Sequence, residues 1–399
     1  IAAKYDYHLP FYRQQNWFAG SGWCPTRSTL LNILTAAECA LRPLADYYRM
    51  QLMQDQVIGC DETPVTLLTP AGLPALTKEA SERDRRRHEV LAEAMAKQKP
   101  SLTARMWAYR GVTVPINVFD FTVSRARYGP DDVLSEFRGF LMADCWTGFQ
   151  QIGLRSDLRI TRAACMSHAR RKVFDCRTTY PAQASVLLAM FRQLYDIEDR
   201  GKELSPENRL TLRQAESISV LNRMGEYLRS DALSERTLLP KSDFAAAVNY
   251  IRNHWEQLQL YATNGLIPID NNDVEQLMKQ VATGRKNWLF IGSADAGERA
   301  ANLLTLVSTA HRHDLDVWMY LKAALDQLLA GSTDYESLRA DVWKRSHPEA
   351  VRTYRSDERR DTADRNRLTR AQRRLANAKK LAAAKLAAKT NQAEQQKSK

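Results

Sequence analysis

The stretch "VIGCDETPVTLL", residues 57–68, marks the point where the periodicity of the sequence changes. Its β-branched and apolar residues predict a strand, whereas the residues before it have the spacing of helices. Two carboxylates, Asp61 and Glu62, follow directly on the apolar run that ends at Cys60. An acidic pair in this position indicates either a turn or one part of a functional site.

Strand patterns recur after this stretch, with β-branched and aromatic residues at short spacing. The segments are "RMWAYRGV", "TVPINVFDFTVS", "GFLMADCW" and "RITRAACM". Between residues 57–68 and the first of these segments, "TKEASERDRRRHEVLAEAMAKQK" predicts a charged surface helix. After Ser167 the pattern is helical for roughly a hundred residues, until Gly265 and Pro268 interrupt it before a further helix. The sequence therefore predicts an α/β fold whose sheet-rich core is interrupted by a long helical insertion.

The first 52 residues predict helices, among them "HLPFYRQQNWF" and "PTRSTLLNILTAAECALRPLADYYRMQL". Thr26 is placed to cap the second of these, and leucines supply its apolar face: Leu30, Leu31, Leu34 and Leu41. Two helices joined by a glycine-containing turn are compatible with a DNA-binding helix-turn-helix, and equally with a simple packing unit.

Composition limits the class of protein. The 399 residues are 44% hydrophobic, enough for a packed core, and no stretch reaches the ~20 apolar residues that span a bilayer. A cytoplasmic protein is expected. The six cysteines are dispersed without a CxxC pair and predict reduced core thiols, not a structural zinc site. Because the chain opens on Ile1 in what reads as the interior of a domain, a preceding segment is expected.

Positive charge is concentrated near the end of the sequence. The whole chain carries a net charge of +12, and residues 355–399 alone contain 14 Lys/Arg against 5 Asp/Glu. This Ala/Lys-rich tail, with "RRLANAKKLAAAKLAAKT", predicts either a solvated extension or a helix that lies along phosphates.

Three acidic residues share one context, the end of a regular element beside polar residues. Asp61 follows "VIGC", Asp144 follows "GFLMA", and Glu275 lies in "DNNDVEQ". Carboxylates in such a set hold Mg²⁺, and a pair of such ions supports in-line phosphoryl transfer. Each residue has a structural alternative. Asp61 and Asp144 are compatible with ordinary turns, and Glu275 with the capping-box partner of Asn272.

Several motifs, taken together, resemble the transposases of insertion sequence 66 over roughly residues 4 to 325. In chain order they are "KYDYHLPFYRQ", "DETPV", "FRGFLMADCWTGF", "CMSHARRKVF", "PIDNNDVEQ" and "GRKNWLFIGS". The resemblance implies a DDE transposase with a ribonuclease-H-like core, the first Asp on the opening strand, the second on the fourth and the Glu on a later helix. It implies that Asp61, Asp144 and Glu275 are the catalytic, metal-binding triad, with Mg²⁺ as cofactor and Mn²⁺ as a substitute. Glu62 is then a neighbour of the triad and not a ligand.

The resemblance also assigns residues outside the triad. Cys165 to His168 resembles a Cys-x-x-His signature, which implies that His168 reaches a scissile phosphate or supports the triad; the alternative is a helix-start histidine with satisfied hydrogen bonds. Cations close to the triad in sequence are expected to contact DNA: Arg170, Arg171, Arg285 and Lys286. Because three successive cations cannot share one helix face, at least one of residues 170–172 is expected to point to solvent. Trp288, Leu289 and Phe290 are expected in the core.

The chain departs from the family pattern after the glutamate, where Gln276 and Lys279 stand in place of two arginines. The N-terminal zinc module and further DNA-binding helices of the family are also missing from these residues.

The predicted function is cleavage at transposon ends and transfer of the 3′ hydroxyls into target DNA. The implied partners are transposon and target DNA, further copies of the chain and accessory proteins, with no membrane. The alternatives are an inactive DNA-binding relative and a structure-selective nuclease on the same fold.

The predicted organisation has five segments, named here by their expected roles. They are a helical, candidate DNA-binding segment (1–52), the first part of the ribonuclease-H-like core (53–167), a helical insertion (168–265), the completion of the core with the glutamate helix (266–330) and a C-terminal extension with the basic tail (331–399).

Overall fold

A five-stranded mixed sheet forms the centre of the protein, and its strand order is β3-β2-β1-β4-β5. The computed structural model describes residues 1–73, 75–369, 371–372, 375–376 and 379. The strands are β1 (Val57–Leu68), β2 (Ser101–Gly111), β3 (Asn117–Thr122), β4 (Gly139–Ala143) and β5 (Ile160–Ala164). β1 pairs with β2 antiparallel and with β4 parallel, β2 pairs with β3 antiparallel, and β4 pairs with β5 parallel. The mixed α/β prediction is confirmed, with a strand inside each segment that predicted one.

Helices surround the sheet. Before and between the strands they are α1 (Ala2–Tyr5), α2 (Phe11–Ala19), α3 (Arg27–Leu52), α4 (Glu82–Ala96), α5 (Tyr128–Val133) and α6 (Ile152–Arg155). After β5 follow α7 (Met166–Asp175), α8 (Pro181–Gly201), α9 (Pro206–Leu212), α10 (Ile218–Arg229), α11 (Asp243–Asn253) and α12 (Trp255–Gln259). The remaining helices are α13 (Asn272–Trp288), α14 (Ala294–Arg312), α15 (Val317–Leu329) and α16 (Ala340–Ser346), and residues 353–369 are also helical.

Two hydrophobic clusters hold these layers together. The larger one joins the sheet to α3, α13, α14 and α15. The second joins Val57 of β1, Met142 of β4 and the end of β5 to α7, α8, α10, α11 and α12. The helices between β5 and α13 therefore pack on the β4–β5 side of the sheet. The proposed segment boundaries remain predictions.

The buried side chain of Arg213 connects these helices to the segment that leads into α13. Its guanidinium donates to both carboxylate oxygens of Glu198 at 2.8 and 2.6 Å, and to the carbonyls of Tyr261, Asn264 and Ile267 at 2.7 to 2.9 Å. One side chain thus holds three carbonyls of the polypeptide that precedes the glutamate helix.

Local details confirm some predictions and correct others. The Thr26 hydroxyl caps α3 by accepting from the Thr29 amide at 3.0 Å. Leu30, Leu34 and Leu41 are buried as predicted, but Leu31 is 41% exposed. Cys24 and Cys39 are exposed, against the prediction of core thiols, because Cys24 lies in the connection between α2 and α3 and Cys39 on the solvent side of α3.

α13 ends in a strained turn. Leu289 has φ 65° and ψ −45°, and the Phe290 amide donates to the Trp288 carbonyl at 2.8 Å, the geometry of a classic γ-turn. The prediction that residues 288–290 belong to the core is wrong for two of them, since Leu289 is 65% and Phe290 48% exposed. Ile291 then pairs with β1, and its amide donates to the Thr66 carbonyl at 2.7 Å. The reversal into this pairing turns Leu289 and Phe290 outward.

Within the part of the chain that the structure describes, no helix has the length and apolar character needed to cross a membrane. The predicted basic tail lies largely outside the described residues, since residues 370, 373–374, 377–378 and 380–399 are not among them.

Candidate active site

The three predicted carboxylates come from three elements that meet beside β1. Asp61 lies within β1, Asp144 directly follows β4, and Glu275 lies in the first turn of α13. The parallel register pairs Gly59 with Met142. Two residues further along each strand, this register sets Asp61 level with Asp144.

A close contact between β1 and α13 brings Glu275 to the same place. A β-carbon on Gly59 would lie 2.5 Å from Cγ2 of Val274, so only glycine allows this approach. The buried Asn271 side chain donates to the Cys60 carbonyl at 2.8 Å, and its backbone amide donates to the Cys165 sulfur at 3.3 Å. Asn271 therefore ties the start of α13 to β1 and to the end of β5.

The start of α13 also corrects the capping-box alternative for Glu275. The N-cap is Asn271 and not Asn272, whose side chain instead donates to Asp270 at 2.8 Å. Oε1 of Glu275 is buried and, among the described residues, has no hydrogen-bond partner. Glu275 is therefore not used to cap its own helix.

Burial, together with the neighbouring negative charges, raises the pKa of Asp61 to about 7. Burial is the largest cause, and the negative charges of Glu62, Asp144 and Glu275 add to it, while the Glu62 amide, donating at 2.9 Å, opposes it. Repulsion of this kind requires the carboxylates to be close. A divalent cation would relieve it, and the donors are the oxygens that Mg²⁺ prefers, including the orphaned Oε1 of Glu275. The residues present therefore fit a magnesium site.

Glu62, although its charge acts on Asp61, lies on the opposite face of β1. Side chains alternate across a strand, so Glu62 faces away from the α13 side that Asp61 occupies. Its carboxylate is 7% exposed and forms an ion pair with Arg125. The Arg125 guanidinium lies 4.9 Å from the ring centroid of Trp146, whose backbone amide donates to Oδ1 of Asp144 at 3.0 Å.

His168 and Arg171, on α7, face Glu275. Nδ1 of His168 lies 3.7 Å from Oε1 of Glu275, and Arg171 lies 3.9 Å from Oε2. In the described residues, the side chains of Cys165, His168 and Glu275 have candidate ligand atoms within 4.8 Å of one another, a separation that the three triad carboxylates do not meet as a set. Burial raises the pKa of the Cys165 thiol to about 12, which favours a neutral thiol that accepts from Asn271 over a metal-bound thiolate.

The remaining predicted DNA contacts divide into free and engaged side chains. Arg170 and Arg171 are exposed. Lys172, the third of these successive cations, is exposed as well, and it lies 4.7 Å from the ring centroid of Tyr250. Arg285 is engaged, because it donates to the Thr63 hydroxyl at 2.9 Å and to the Pro64 carbonyl. Lys286 is exposed, about 16 Å along α13 from Glu275. Gln276 and Lys279, the departures from the expected arginines, are exposed as well.

The geometry reveals residues that the sequence pattern did not single out. In the sequence, Asn271 is only one of two adjacent asparagines. Arg125 and Trp146 read there as ordinary members of a loop and a turn. For Trp146, the glycine two residues later in "DCWTGF" is a local signal, because glycine permits a close approach to its backbone.

Comparison with known proteins gives a consistent result. The model of the transposase IS66 family matches residues 1–299. Two uncharacterized proteins of Sinorhizobium fredii strain NGR234 are similar to the chain. One, y4jD, is 28% identical over 343 residues, which cover 85% of this chain and 63% of that protein. The other, y4hP, is 28% identical over 377 residues, which cover 87% and 62%.

The chain thus spans less than two thirds of the length of these curated relatives. The family match, in contrast, extends over most of the chain and includes all three carboxylates. The chain belongs to the IS66 family of transposases.

Proposed function

We propose that this chain cuts DNA at the ends of its element and joins the freed 3′ hydroxyls to a target, with Asp61, Asp144 and Glu275 as a DDE triad that holds Mg²⁺. The observation that carries the proposal is the convergence of these carboxylates from β1, the end of β4 and the start of α13. Membership in a transposase family supports DNA as the substrate.

The strand order supports a ribonuclease-H-like core. β1 lies at the centre, with an antiparallel hairpin on one side and two parallel strands on the other. The proposed ligands sit on the first strand, after the fourth strand and on a later helix. This is the arrangement that the motif resemblance implies for the DDE group.

The side chains have separate tasks in this proposal. Asp61 and Asp144 would supply oxygen ligands from the sheet, and Glu275 would supply a third through an oxygen that has no hydrogen-bond partner among the described residues. Bound Mg²⁺ would supply the positive charge that phosphoryl transfer requires at the attacking and leaving oxygens. The protein contributes position and charge, since this reaction needs no covalent protein intermediate.

The cations around the triad would hold the DNA backbone. Arg170 and Lys286 are exposed and free to meet phosphates, whereas Arg171 and His168 face Glu275. His168 would restrain the Glu275 carboxylate or donate to a phosphate oxygen beside it. Arg285 would position the end of α13 through Thr63 and contact DNA with the part of its guanidinium that the protein does not use. A second copy of the chain would allow both ends to be cut together.

The test is a cleavage and joining assay in Mg²⁺ or Mn²⁺, with duplexes made from the ends of the element that carries the gene. Glu275→Gln is compared with Asp273→Asn, a matched control on the same helix turn whose carboxylate is 78% exposed and pairs with Arg110. We expect nicked and joined products from the wild type and the control, and a loss of at least a hundredfold in Glu275→Gln.

Other outcomes select other functions. Nicks without joined products would support a structure-selective nuclease. Tight DNA binding with no product, unaffected by metal or by Glu275→Gln, would support an inactive DNA-binding relative, for which the neutral Gln276 beside the triad is the structural argument.

A further inference from the structure

Glu62 is a buried carboxylate beside a cluster of negative charge, where it is electrostatically unfavourable. It is one of the groups whose charge raises the pKa of Asp61. Only 7% of its side chain is exposed, and its Oε2 has no hydrogen-bond partner among the described residues. Its carboxylate forms an ion pair with Arg125, which offsets part of the cost of burying the charge.

Arg125 makes a second contact, with the side chain of Trp146. Its guanidinium lies over the indole, 4.9 Å from the ring centroid. Such a cation is attracted to the face of a tryptophan ring and holds it in one orientation. The ion pair with Glu62 fixes the direction from which the guanidinium approaches.

The half-buried Trp146 ring also packs against two aromatic rings and a stretch of backbone. Trp107 and Phe149 lie 5.5 and 5.3 Å from it, centroid to centroid. A β-carbon on Gly148 would lie 2.1 Å from the ring, so the indole packs directly on the backbone there. These contacts restrain the orientation of the indole ring and, through it, the position of the Trp146 backbone.

The backbone amide of Trp146 donates to Oδ1 of Asp144 at 3.0 Å. A chain of contacts therefore runs from Glu62 through Arg125 and Trp146 to a proposed metal ligand. We propose that Glu62 is a positioning residue, which acts through Arg125 and Trp146 to fix the carboxylate of Asp144 for cation binding. This inference rests on the proposed function, because it assumes that Asp144 is a ligand.

Side chains that orient a metal ligand contribute to the affinity of the site for the metal. Loss of such a partner typically weakens metal affinity by about 10- to 100-fold. A plain electrostatic role for Glu62 predicts something different. If only charge mattered, Glu62→Gln would weaken cation binding, but Arg125→Met would strengthen it, because the substitution removes a positive charge near the site.

The direction in which Arg125→Met changes Mn²⁺ affinity therefore distinguishes a positioning role of Glu62 from a purely electrostatic one. The experiment measures Mn²⁺ binding to the full chain, without DNA, by calorimetry and by the electron paramagnetic resonance of free Mn²⁺. The variants are Arg125→Met, the charge-neutral double variant Glu62→Gln/Arg125→Met, and Asp144→Asn. Glu298→Gln, which removes a different Glu–Arg pair (Glu298 with Arg87 at 3.0 Å), serves as the control for loss of an ion pair.

We expect Mn²⁺ affinity to fall about tenfold in Arg125→Met and in the double variant, with no change in Glu298→Gln. Tighter binding in Arg125→Met, or affinity within twofold of the wild type in the double variant, would overturn the inference. Because the double variant removes the buried charge together with its partner, it tests the inference even if Arg125→Met alone does not fold. A wild type that binds no Mn²⁺, or an Asp144→Asn variant that binds it equally well, would instead overturn the metal site itself.

Discussion

At the scale of a single residue, Asp61 shows how a proposed metal site destabilises the fold that contains it. Its carboxylate is half-buried beside like charges, and its pKa is raised from 3.8 to about 7. A raised carboxylate pKa means that the folded protein holds this proton more tightly than the unfolded chain does. The stabilisation is therefore present at low pH and is lost as the pH rises from about 4 to about 7.

Asp61→Asn is expected to stabilise the metal-free protein at pH 8 by about 1 to 3 kcal/mol and by less than half as much at pH 5, where the folded carboxyl is still protonated. The reason is that asparagine removes the buried charge without changing the shape. The measurement is urea unfolding in EDTA at the two pH values. Added Mg²⁺ is expected to stabilise the wild type and not the variant. An equal effect of the substitution at both pH values would contradict the assigned charge.

The triad residues were accessible from the sequence one by one, whereas the residues that arrange them were not. Asp61, Asp144 and Glu275 each stand where a regular element meets polar residues, and the resemblance singled out the same three. Asn271 has no such signal, because its hydrogen bond to Cys60 joins residues that are distant in the sequence. A sequence pattern reports local context, and this contact is entirely tertiary.

At the scale of elements, the approach of α13 to β1 determines where Glu275 stands. The contact depends on Gly59, because any larger residue meets Val274 and Oδ1 of Asn271. The same glycine lies two residues from Asp61 on the same face of the strand.

Gly59→Ala is expected to destabilise the protein by about 1 to 3 kcal/mol, since the added methyl group must push α13 away from the sheet. Mn²⁺ affinity should fall at the same time. Gly72→Ala is the matched control, because a β-carbon there meets nothing within 4 Å. Both variants are measured by urea unfolding and Mn²⁺ titration. A Gly59→Ala protein with wild-type affinity would show that the position of α13 is not critical for the site.

The γ-turn at Leu289 leads to a prediction of opposite sign. A residue with a side chain at this φ is strained by about 1 to 2 kcal/mol, and glycine is not. Leu289→Gly is therefore expected to raise the free energy of unfolding by about 1 kcal/mol, even after the extra freedom of glycine in the unfolded chain is counted. Leu239→Gly, at a leucine that is 69% exposed and outside the left-handed region, should be neutral or destabilising. A loss of stability in both would mean that the turn is not strained.

Strands and long helices were predictable because their signals are local. β-branched runs predicted the five strands, and Thr26 predicted the start of α3. The exposure of Leu289 and Phe290 was not predictable, because apolar residues after an amphipathic helix normally continue into the core. Here the pairing of Ile291 with β1 forces the chain to reverse at Leu289 and Phe290.

At the scale of the whole molecule, Arg213 links the helices after β5 to the approach of α13. In sequence it reads as one more charged residue of an exposed helix, yet its side chain is 1% exposed. Its burial depends on carbonyls more than forty residues further along the chain, which no pattern around Arg213 indicates.

Arg213→Met is expected to destabilise the protein by about 3 to 5 kcal/mol, because Glu198 is left as a partly buried unpaired charge. The double variant Arg213→Met/Glu198→Met should recover part of this loss, but not all, since three carbonyls remain without their donor. Urea unfolding gives the energies, and hydrogen exchange of residues 261–269 locates the loosened segment. Protection of this segment unchanged from the wild type would contradict the linking role.

The order of the carboxylates along the chain has a consequence for synthesis. β1 and β4 leave the ribosome well before α13, and the whole set of helices between β5 and α13 must be made before Glu275 exists. Pairing partners this far apart form late, after the entropy of closing long loops has been overcome. A nascent or prematurely terminated chain therefore carries two of the three carboxylates at most, and the complete set exists only in molecules whose translation has passed Glu275.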